Sequence, residues 1–216
     1  MKAIIPVAGT GTKLRPHTYT QPKALIPIAG KPILAFIIDA MIEAGVKDFI
    51  FIIGYLGEKV RDFVEKKYPN INAFYAEQNT REGIGHAIWH AEMFVKNNDP
   101  VFIALGDSVF DLNLKEIVEA PTSLLCVKKV DDPRAFGVVE MEEKNGLIRR
   151  LIEKPLIPKS NLALIGLYKI NESVELFDAL GYIIQNNIKT RGEIQLTDAL
   201  MRMIDKGVVF KGYKVN

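Results

Sequence analysis

KAIIPVAGTGTKLRP (residues 2–16) is the stretch that decides the fold. Residues 2–7 form a short apolar run rich in β-branched side chains, which predicts a buried strand. Two glycines, two threonines and a lysine follow it, and glycine lets a backbone approach a ligand closely. A loop of this composition at a strand end can direct several N–H groups at a phosphate, with Lys13 or Arg15 adding charge. The alternative is a Gly-rich β-turn followed by a solvated basic stretch.

The spacing within this loop differs from two familiar nucleotide-binding motifs. It matches neither the GxxxxGK[ST] pattern of P-loop NTPases nor the GxGxxG pattern of Rossmann dehydrogenases. No acidic residue follows at the spacing that a ribose-binding Asp or Glu requires, so an oxidoreductase ranks third among the interpretations. Lys23 lies within reach of the same loop and is a further candidate for a phosphate contact.

Composition and charge narrow the class of protein. The 216 residues are 48% apolar and 25% charged, which is ordinary for a globular protein of one large α/β domain. A net charge of +2, with scattered basic residues, gives no reason to expect nucleic acid or a membrane as partner. We recognise no signal peptide and no apolar run of membrane-spanning length, so we expect a cytoplasmic protein. An apolar rim on the second half would suit a homo-oligomer, which the sequence leaves open.

Cys126 is the single cysteine and lies in an apolar run. One cysteine excludes a disulfide framework within the chain and fits a reduced compartment. A small buried core residue is the favoured interpretation, with a catalytic thiol as the alternative.

The order of predicted elements indicates the fold class. The first half alternates strands and helices, with strands at 2–7, 49–53, 72–76 and 101–105 and helices at 32–44, 57–68 and 86 to about 96. This order predicts a parallel, doubly wound sheet, whose ligands bind beyond the carboxyl ends of the strands. The glycine loop, Gly54-Tyr55, Gln78 and Asp107 all follow those ends.

The second half carries more strands and fewer helices. We expect strands at 123–130, 136–142, 147–153, 161–170 and 208–215, and helices at 172–187 and 193–206. Antiparallel or mixed strands would therefore extend the sheet. Neither a repeat nor a low-complexity linker interrupts the chain, so we predict one domain over residues 1–216.

Two acidic positions are candidates for chemistry. Asp107 ends an apolar strand and suits Mg²⁺, which takes one or two carboxylates and keeps phosphate oxygens and waters as its other ligands. The alternative for Asp107 is the N-cap of the following helix. Glu153 and Lys154 could hold a polyol hydroxyl and a phosphate, or form an exposed ion pair of little energetic value.

The histidines give a weaker signal. His86 and His90 stand four residues apart on one predicted helix, as two zinc ligands would, but the HExxH glutamate and a third ligand are missing. Packed or surface histidines are therefore favoured over zinc ligands. His17 lies in the basic loop and could contact a phosphate.

Taken together, these segments resemble the sugar-1-phosphate nucleotidyltransferases, nearly end to end and in order. AGTGTKLRPHTYTQPKALIPIAGKPI (residues 8–33) is similar to the family signature, EQNTREGIGHA (77–87) to its base-reading segment and LGD (105–107) to its metal strand. FGVV, EKP, SNLALIGLY and GEIQLTDAL resemble the sugar-side segments. The details resemble glucose-1-phosphate uridylyltransferases and thymidylyltransferases equally.

The resemblance implies a fold and a reaction. The fold would be a Rossmann-like, doubly wound, mixed and mainly parallel sheet of the nucleotide-diphospho-sugar transferase type. Residues 1–110 would bind the nucleotide and residues 111–216 the sugar phosphate. With Mg²⁺, the phosphate of glucose 1-phosphate would attack the α-phosphate of UTP or dTTP, releasing pyrophosphate. Positioning and charge neutralisation dominate such transfers.

The resemblance also implies a role for each matching residue. On the nucleotide side, the triphosphate would be bound by Ala8, Gly9, Gly11 and Thr12, and the leaving pyrophosphate by Lys13. Lys23 would lie near the reacting centre and Asp107 would bind Mg²⁺. The base would be read by Gln78 and Gly83. The sugar side would comprise Gly137 and Glu153 at the sugar hydroxyls, Lys154 at the sugar phosphate, and Asn161, Leu164 and Glu193 along the wall.

Two departures from the family pattern keep alternatives open. Lys13 stands where the family usually has arginine, and a lysine point charge does not replace a two-pronged guanidinium, although Arg15 is nearby. The family's Trp-x-Asp-x-Gly segment, which carries its second metal aspartate, has no match before Asn216, so we expect this C-terminal metal-binding segment to be missing. The alternatives are GTP with mannose 1-phosphate, and a non-catalytic nucleotide-sugar-binding regulator.

Overall fold

The secondary structure alternates along the chain as the apolar patterns predict. The computed structural model describes residues 1–96, 98–110 and 112–215. Its strands and α-helices, in chain order, are β1 (Lys2–Pro6), β2 (Pro27–Ile28), β3 (Lys31–Pro32), α1 (Ile33–Glu43), β4 (Asp48–Ile53), α2 (Gly57–Lys67), β5 (Asn72–Glu77), α3 (Ile84–Trp89), β6 (Val101–Ala104), α4 (Leu114–Val118), β7 (Ser123–Lys129), β8 (Gly137–Met141), β9 (Ile148–Glu153), β10 (Leu162–Ile170), α5 (Ser173–Gln185), α6 (Leu196–Asp205) and β11 (Phe210–Val215). Short 3₁₀ turns lie at Thr12–Leu14, His17–Tyr19, Lys23–Leu25, Glu92–Phe94 and Pro133–Ala135.

One sheet runs through both halves of the chain. Its strand order is β11-β7-β10-β6-β1-β4-β5, and β8 and β9 form a branch that pairs with β10. The order places β1 between β4 and β6 and parallel to both. Along this order every strand of the described chain points the same way except β10, which is antiparallel to β6 and β7. The predicted mixed, mainly parallel, doubly wound sheet in a single domain is therefore confirmed.

Both faces of the sheet are covered by helices. Side chains alternate between the faces of a strand, and in β1 Ala3 and Ile5 join the core beneath α1, α2 and α4, whereas Ile4 joins the core beneath α3, α5 and α6. Burying each such isoleucine stabilises the fold by roughly 1.5–3 kcal/mol. This two-sided burial explains why the strands read as continuous apolar runs rather than alternating ones.

Local features of the structure differ from the predictions in several places. The helix expected from residue 86 to about 96 is shorter: α3 spans Ile84–Trp89, and a separate 3₁₀ turn follows. The N–H groups of His90 and Ala91 each bond three residues back, and this tightening ends the α-helix. The two-residue strands β2 and β3 were too short for a periodic pattern to reveal.

Cys126 lies in the core and is fully buried. Burial raises the pKa of its thiol to about 12, so the thiolate that a nucleophile needs is not formed near neutral pH. The interpretation as a core residue is confirmed. Within the residues described, no helix is both long and apolar enough to span a bilayer.

Candidate functional site

A cleft of about 450 Å³ opens at the carboxyl ends of β1, β5 and β6. Many of the residues predicted on the nucleotide side line it, together with one from the sugar side: Ala8, Gly9, Gly11, Thr12, Lys13, Lys23, Gln78, Gly83, Asp107 and Glu193. The sequence rule that ligands bind beyond parallel strand ends therefore located the cleft correctly.

The glycine loop after β1 is held by two neighbouring strand ends. A Cβ at Gly54, which follows β4, would lie 2.9 Å from the Ala8 Cβ. A Cβ at Gly106, which follows β6, would lie 2.6 Å from Val7 Cγ1. The loop therefore packs so closely against these two strand ends that side chains at positions 54 and 106 would not fit, and residues of the loop line the cleft.

Lys23 and Asp107 meet across the cleft floor. Lys23 Nζ lies 2.5 Å from Asp107 Oδ2, and the Asp107 side chain is 48% exposed. A pair this exposed contributes at most about 1 kcal/mol to stability, so its position matters more than its energy. The next helix, α4, is capped by Asn113, whose side chain accepts from the Lys115 N–H. The interpretation of Asp107 as the N-cap of the following helix is therefore wrong.

The donor set at Asp107 fits a magnesium ion that also binds phosphate. Within the described chain, no group of three or more His, Cys, Asp or Glu side chains could hold a metal by itself. Mg²⁺ needs only one or two carboxylates when phosphate oxygens and waters complete its coordination. Asp107 lies with the glycine loop in the lining of the cleft and offers one carboxylate, so a metal here would need phosphate oxygens and waters as its other ligands.

Gln78 and Gly83 lie together on the wall opposite the glycine loop. Gln78 Nε2 donates to the Gly83 carbonyl at 3.3 Å and lies 3.1 Å from His86 Nδ1. The His86 ring also meets His90 edge to face at 4.7 Å. His86 is thus engaged with Gln78, and the structure gives no support to a zinc pair of His86 and His90.

Residues 193–197, here called the linking segment, join the two walls of the site. The Ile194 N–H donates to the Glu82 carbonyl at 2.6 Å, and the Gly85 N–H donates to the Ile194 carbonyl at 2.9 Å. Further along, Thr197 Oγ1 donates to Glu153 Oε2 at 2.7 Å. The segment therefore holds the Gln78–Gly83 wall at one end and Glu153 at the other.

Gly137, Leu164 and Lys154 are grouped around Glu153 outside the cleft lining, whereas the sugar-side candidate Glu193 is part of that lining. A Cβ at Gly137 would lie 2.8 Å from Leu164 Cδ1 and 3.2 Å from Glu153 Oε2. Lys154 Nζ lies 3.3 Å from Glu153 Oε1, and the Glu153 side chain is only 9% exposed. The alternative of an exposed Glu153–Lys154 pair therefore fits Lys154, whose side chain is 41% exposed, but not Glu153. Leu164 is buried, whereas Asn161 is exposed at the start of β10.

Two pKa values are shifted beside these groups. Burial raises the pKa of the Asp198 carboxyl, a hydrogen bond from Thr190 lowers it, and the charge of Glu153 raises it. Burial lowers the pKa of His90, and the neighbouring His86 lowers it further. Each shift favours the uncharged form of its group.

The structure adds residues that the sequence analysis did not select. Arg81 Nη1 donates to Thr10 Oγ1 at 3.2 Å, and both residues line the cleft. Arg15 instead lies over the Tyr19 ring, with Cζ 5.1 Å from the ring centroid, and is not among the described lining residues. Arg81 follows Gln78 by three residues at a strand end, which was the available sequence signal. The guanidinium facing the glycine loop is therefore that of Arg81.

Known proteins are similar in sequence to this chain over nearly its whole length. The family model described as nucleotidyl transferase matches residues 2–214. The bifunctional protein GlmU of Methanocaldococcus jannaschii is 39% identical over 217 residues, which is 100% of this chain and 50% of the relative. The UTP–glucose-1-phosphate uridylyltransferase 1 of Staphylococcus saprophyticus is 31% identical over 97% of this chain and 83% of its own length.

A solved structure shares the fold as well. UDP-glucose pyrophosphorylase complexed with UDP-glucose superposes with a TM-score of 0.85 at 26% identity, covering 99% of this chain and 90% of that one. The chain spans about half the length of the GlmU relatives that it matches. Since the family model covers nearly every residue and the sheet and glycine loop agree with it, the chain belongs to the sugar-1-phosphate nucleotidyltransferase family.

Proposed function

We propose that this chain transfers a nucleotidyl group from UTP or dTTP to glucose 1-phosphate, giving an NDP-glucose and pyrophosphate. The observation that carries the proposal is a single cleft that gathers the glycine loop, the Lys23–Asp107 pair and Gln78 beside Gly83. Phosphate-binding backbone, a cation, a carboxylate for Mg²⁺ and an amide for a base are the parts that the reaction needs.

In the proposed reaction an oxygen of the sugar phosphate bonds to the α-phosphorus of the NTP. The bond from that phosphorus to the oxygen bridging to the β-phosphate breaks, and pyrophosphate leaves with the electron pair. The backbone of Gly9, Gly11 and Thr12 would hold the triphosphate, Lys13 the departing pyrophosphate, and Lys23 the charge at the α-phosphate. Mg²⁺ held at Asp107 would supply further neutralisation of the phosphate charge.

The other side of the site would bind the sugar phosphate. We assign Glu153 and Gly137 to the sugar hydroxyls and Lys154 to the phosphate, with Asn161, Leu164 and Glu193 along the wall. Glu153 supports this assignment because Thr197 and Lys154 orient its carboxylate beside the linking segment. A carboxylate fixed in this way accepts hydroxyl hydrogen bonds without further ordering cost.

Two alternatives remain as competing proposals. The same chemistry with GTP and mannose 1-phosphate would use the same phosphate groups and differ only at the base and sugar walls. A non-catalytic nucleotide-sugar binder is favoured by one observation, since Lys23 already occupies one oxygen of Asp107. Such a binder would bind nucleotide sugar without releasing pyrophosphate.

The deciding experiment is a pyrophosphate-release assay with Mg²⁺ and a panel of substrates. Glucose 1-phosphate is paired in turn with UTP, dTTP, GTP, ATP and CTP, mannose 1-phosphate with GTP, and EDTA serves as the blank. Release with UTP or dTTP supports the proposal, and release only with GTP and mannose 1-phosphate replaces it. No release from any pair, with calorimetric binding of UDP-glucose, identifies the binder.

Arg81→Gln is expected to raise the KM for the NTP about tenfold. The change removes the guanidinium that donates a hydrogen bond to Thr10 of the glycine loop, where we place the triphosphate. A hydrogen bond to a charged group contributes roughly 1.5–3 kcal/mol. Arg15→Gln is the matched control, because Arg15 lies over Tyr19 instead. Steady-state kinetics with varied NTP measure both variants. An equal rise in both would show general loss of positive charge rather than a contact of Arg81.

Lys154→Ala is expected to raise the KM for the sugar 1-phosphate about tenfold while leaving the KM for the NTP within about twofold. The Lys154 ammonium lies next to Glu153, where it would bind the phosphate of the sugar. A tenfold rise in KM is about the effect of losing one charged hydrogen bond to a phosphate. Lys159→Ala, an exposed lysine of the same loop, is the control. A larger effect on the NTP than on the sugar phosphate would contradict the assignment.

A further inference from the structure

We propose that His86 is a positioning residue that turns the Gln78 amide so that its oxygen faces the base. The site would then favour bases whose Watson–Crick edge carries a ring N–H, as in uracil, thymine and guanine, over cytosine and adenine. This inference rests on the proposed base-reading role of Gln78. It goes beyond that role because it names His86 as a group that determines whether the Gln78 amide presents its oxygen or its nitrogen to the base.

The orientation of the amide follows from what the Gly83 carbonyl can do. A carbonyl oxygen only accepts hydrogen bonds, and the Gln78 amide atom that lies 3.3 Å from it is Nε2. The reversed amide would bring two acceptors together, which is repulsive. One of the two N–H groups of Gln78 is thereby used, but at 3.3 Å this hydrogen bond is long and holds the amide in this orientation only together with the contact to His86.

The second N–H of the amide meets His86. Gln78 Nε2 lies 3.1 Å from His86 Nδ1, so Nδ1 must accept and the ring must carry its proton on Nε2. A proton on Nδ1 would face an N–H and break the contact. Gln78 is 7% exposed and His86 is 8% exposed, so water does not readily replace this partner.

The arrangement leaves one polar atom of Gln78 for a ligand. In the described part of the chain, the side-chain hydrogen bonds of Gln78 all run through Nε2, and the residue lines the cleft. The atom offered to the cleft is therefore Oε1, which can only accept. Uracil, thymine and guanine present a ring N–H to such an acceptor, whereas cytosine and adenine present a ring nitrogen lone pair. A site built on one hydrogen bond rejects a ligand that cannot make it.

The test compares substitutions that keep or remove the acceptor at position 86. His86→Asn retains an acceptor close to the position of Nδ1, and His86→Leu removes it at similar bulk. We expect the ratio of kcat/KM for UTP to that for CTP to fall about 30-fold in His86→Leu, equivalent to about 2 kcal/mol, and to stay within about threefold in His86→Asn. His90→Asn, at the residue that follows the last residue of α3, is the control and should leave the ratio unchanged.

A second measurement needs no destabilising substitution. In the wild-type chain labelled with ¹⁵N-histidine, we expect the His86 ring to show the Nε2–H tautomer near neutral pH. The His86 signals are identified by their loss in His86→Asn. An Nδ1–H tautomer, or a UTP/CTP ratio that survives in folded His86→Leu, would overturn the inference.

The outcomes also separate this inference from the proposed function. If the wild-type chain releases no pyrophosphate with any NTP, the proposed function fails, and the tautomer and the calorimetric UTP/CTP binding ratio still decide the role of His86. If Gln78→Ala leaves the UTP/CTP ratio unchanged in an active enzyme, the base-reading role of Gln78 fails and the inference fails with it. If Gln78→Ala lowers the UTP/CTP ratio but His86→Leu leaves it unchanged, only the positioning role of His86 is excluded.

Discussion

Asp107→Asn is expected to lower kcat about 10³-fold while the protein melts within about 2 °C of the wild type. The amide keeps the shape of the carboxylate but removes the negative charge that would hold Mg²⁺ and receive Lys23. A metal at a transferring phosphoryl group provides several kcal/mol of charge stabilisation, and each 1.36 kcal/mol is a factor of ten. The side chain is half exposed, so the lost ion pair contributes little to folding.

The controls for Asp107 separate a metal ligand from a general loss of charge. Asp62→Asn removes an exposed carboxylate on α2, outside the described lining of the cleft, and should leave kcat unchanged. A Mg²⁺ titration of Asp107→Asn should show half-saturation at higher Mg²⁺ than the wild type. Wild-type turnover and Mg²⁺ dependence in Asp107→Asn would remove the metal assignment.

Much of the candidate site could be predicted because strand ends converge. β1, β5 and β6 are recognisable from continuous apolar runs, and parallel strands bring their carboxyl ends to one edge. Gln78 and Asp107 are separated by 29 positions in sequence, yet Gln78 directly follows β5 and Asp107 comes three residues after β6. Topology alone therefore places both beside the glycine loop, without any knowledge of side-chain conformation.

The contacts that the sequence could not predict depend on side-chain direction. Thr197 and Glu153 are 44 residues apart and meet only because α6 and β9 pack together. Arg15 and Arg81 are both close in sequence to residues that line the cleft. In the structure the Arg15 guanidinium lies over the Tyr19 ring, whereas that of Arg81 donates to Thr10. Hydropathy patterns report which face of an element is buried, and they carry no information on rotamers.

The sequence predicted that the linking segment would form the start of a helix from residue 193. In the structure α6 begins at Leu196, and residues before it instead use backbone groups to bind the Gln78–Gly83 wall. The Ile194 N–H and carbonyl are consumed by Glu82 and Gly85, so they are not available for a helical turn. Tertiary hydrogen bonds therefore override a weak helical start.

Gly83→Ala is expected to lower Tm by on the order of 10 °C and to raise the KM for the NTP at least tenfold. Gly83 has φ 114° and ψ 177°, a region that is essentially restricted to glycine and costs other residues of order 1–3 kcal/mol. An added Cβ would also lie 2.4 Å from the Ile194 carbonyl oxygen and 2.8 Å from its nitrogen. Relieving such overpacking typically costs about 1–3 kcal/mol more, and 1 kcal/mol corresponds to roughly 2–4 °C at this chain length.

The displaced atoms are backbone, so no side-chain rotation can relieve the contact at Gly83. Ile194 is held by hydrogen bonds to Glu82 and Gly85, and moving it would separate the linking segment from the wall that carries Gln78. Gly207→Ala is the matched control, because Gly207 has φ 92° with nothing within 4 Å of an added Cβ. It should show only the backbone cost, about 1 kcal/mol, with an unchanged KM. Equal thermal shifts in the two variants, or a wild-type KM in Gly83→Ala, would mean that this contact does not hold the base wall in place.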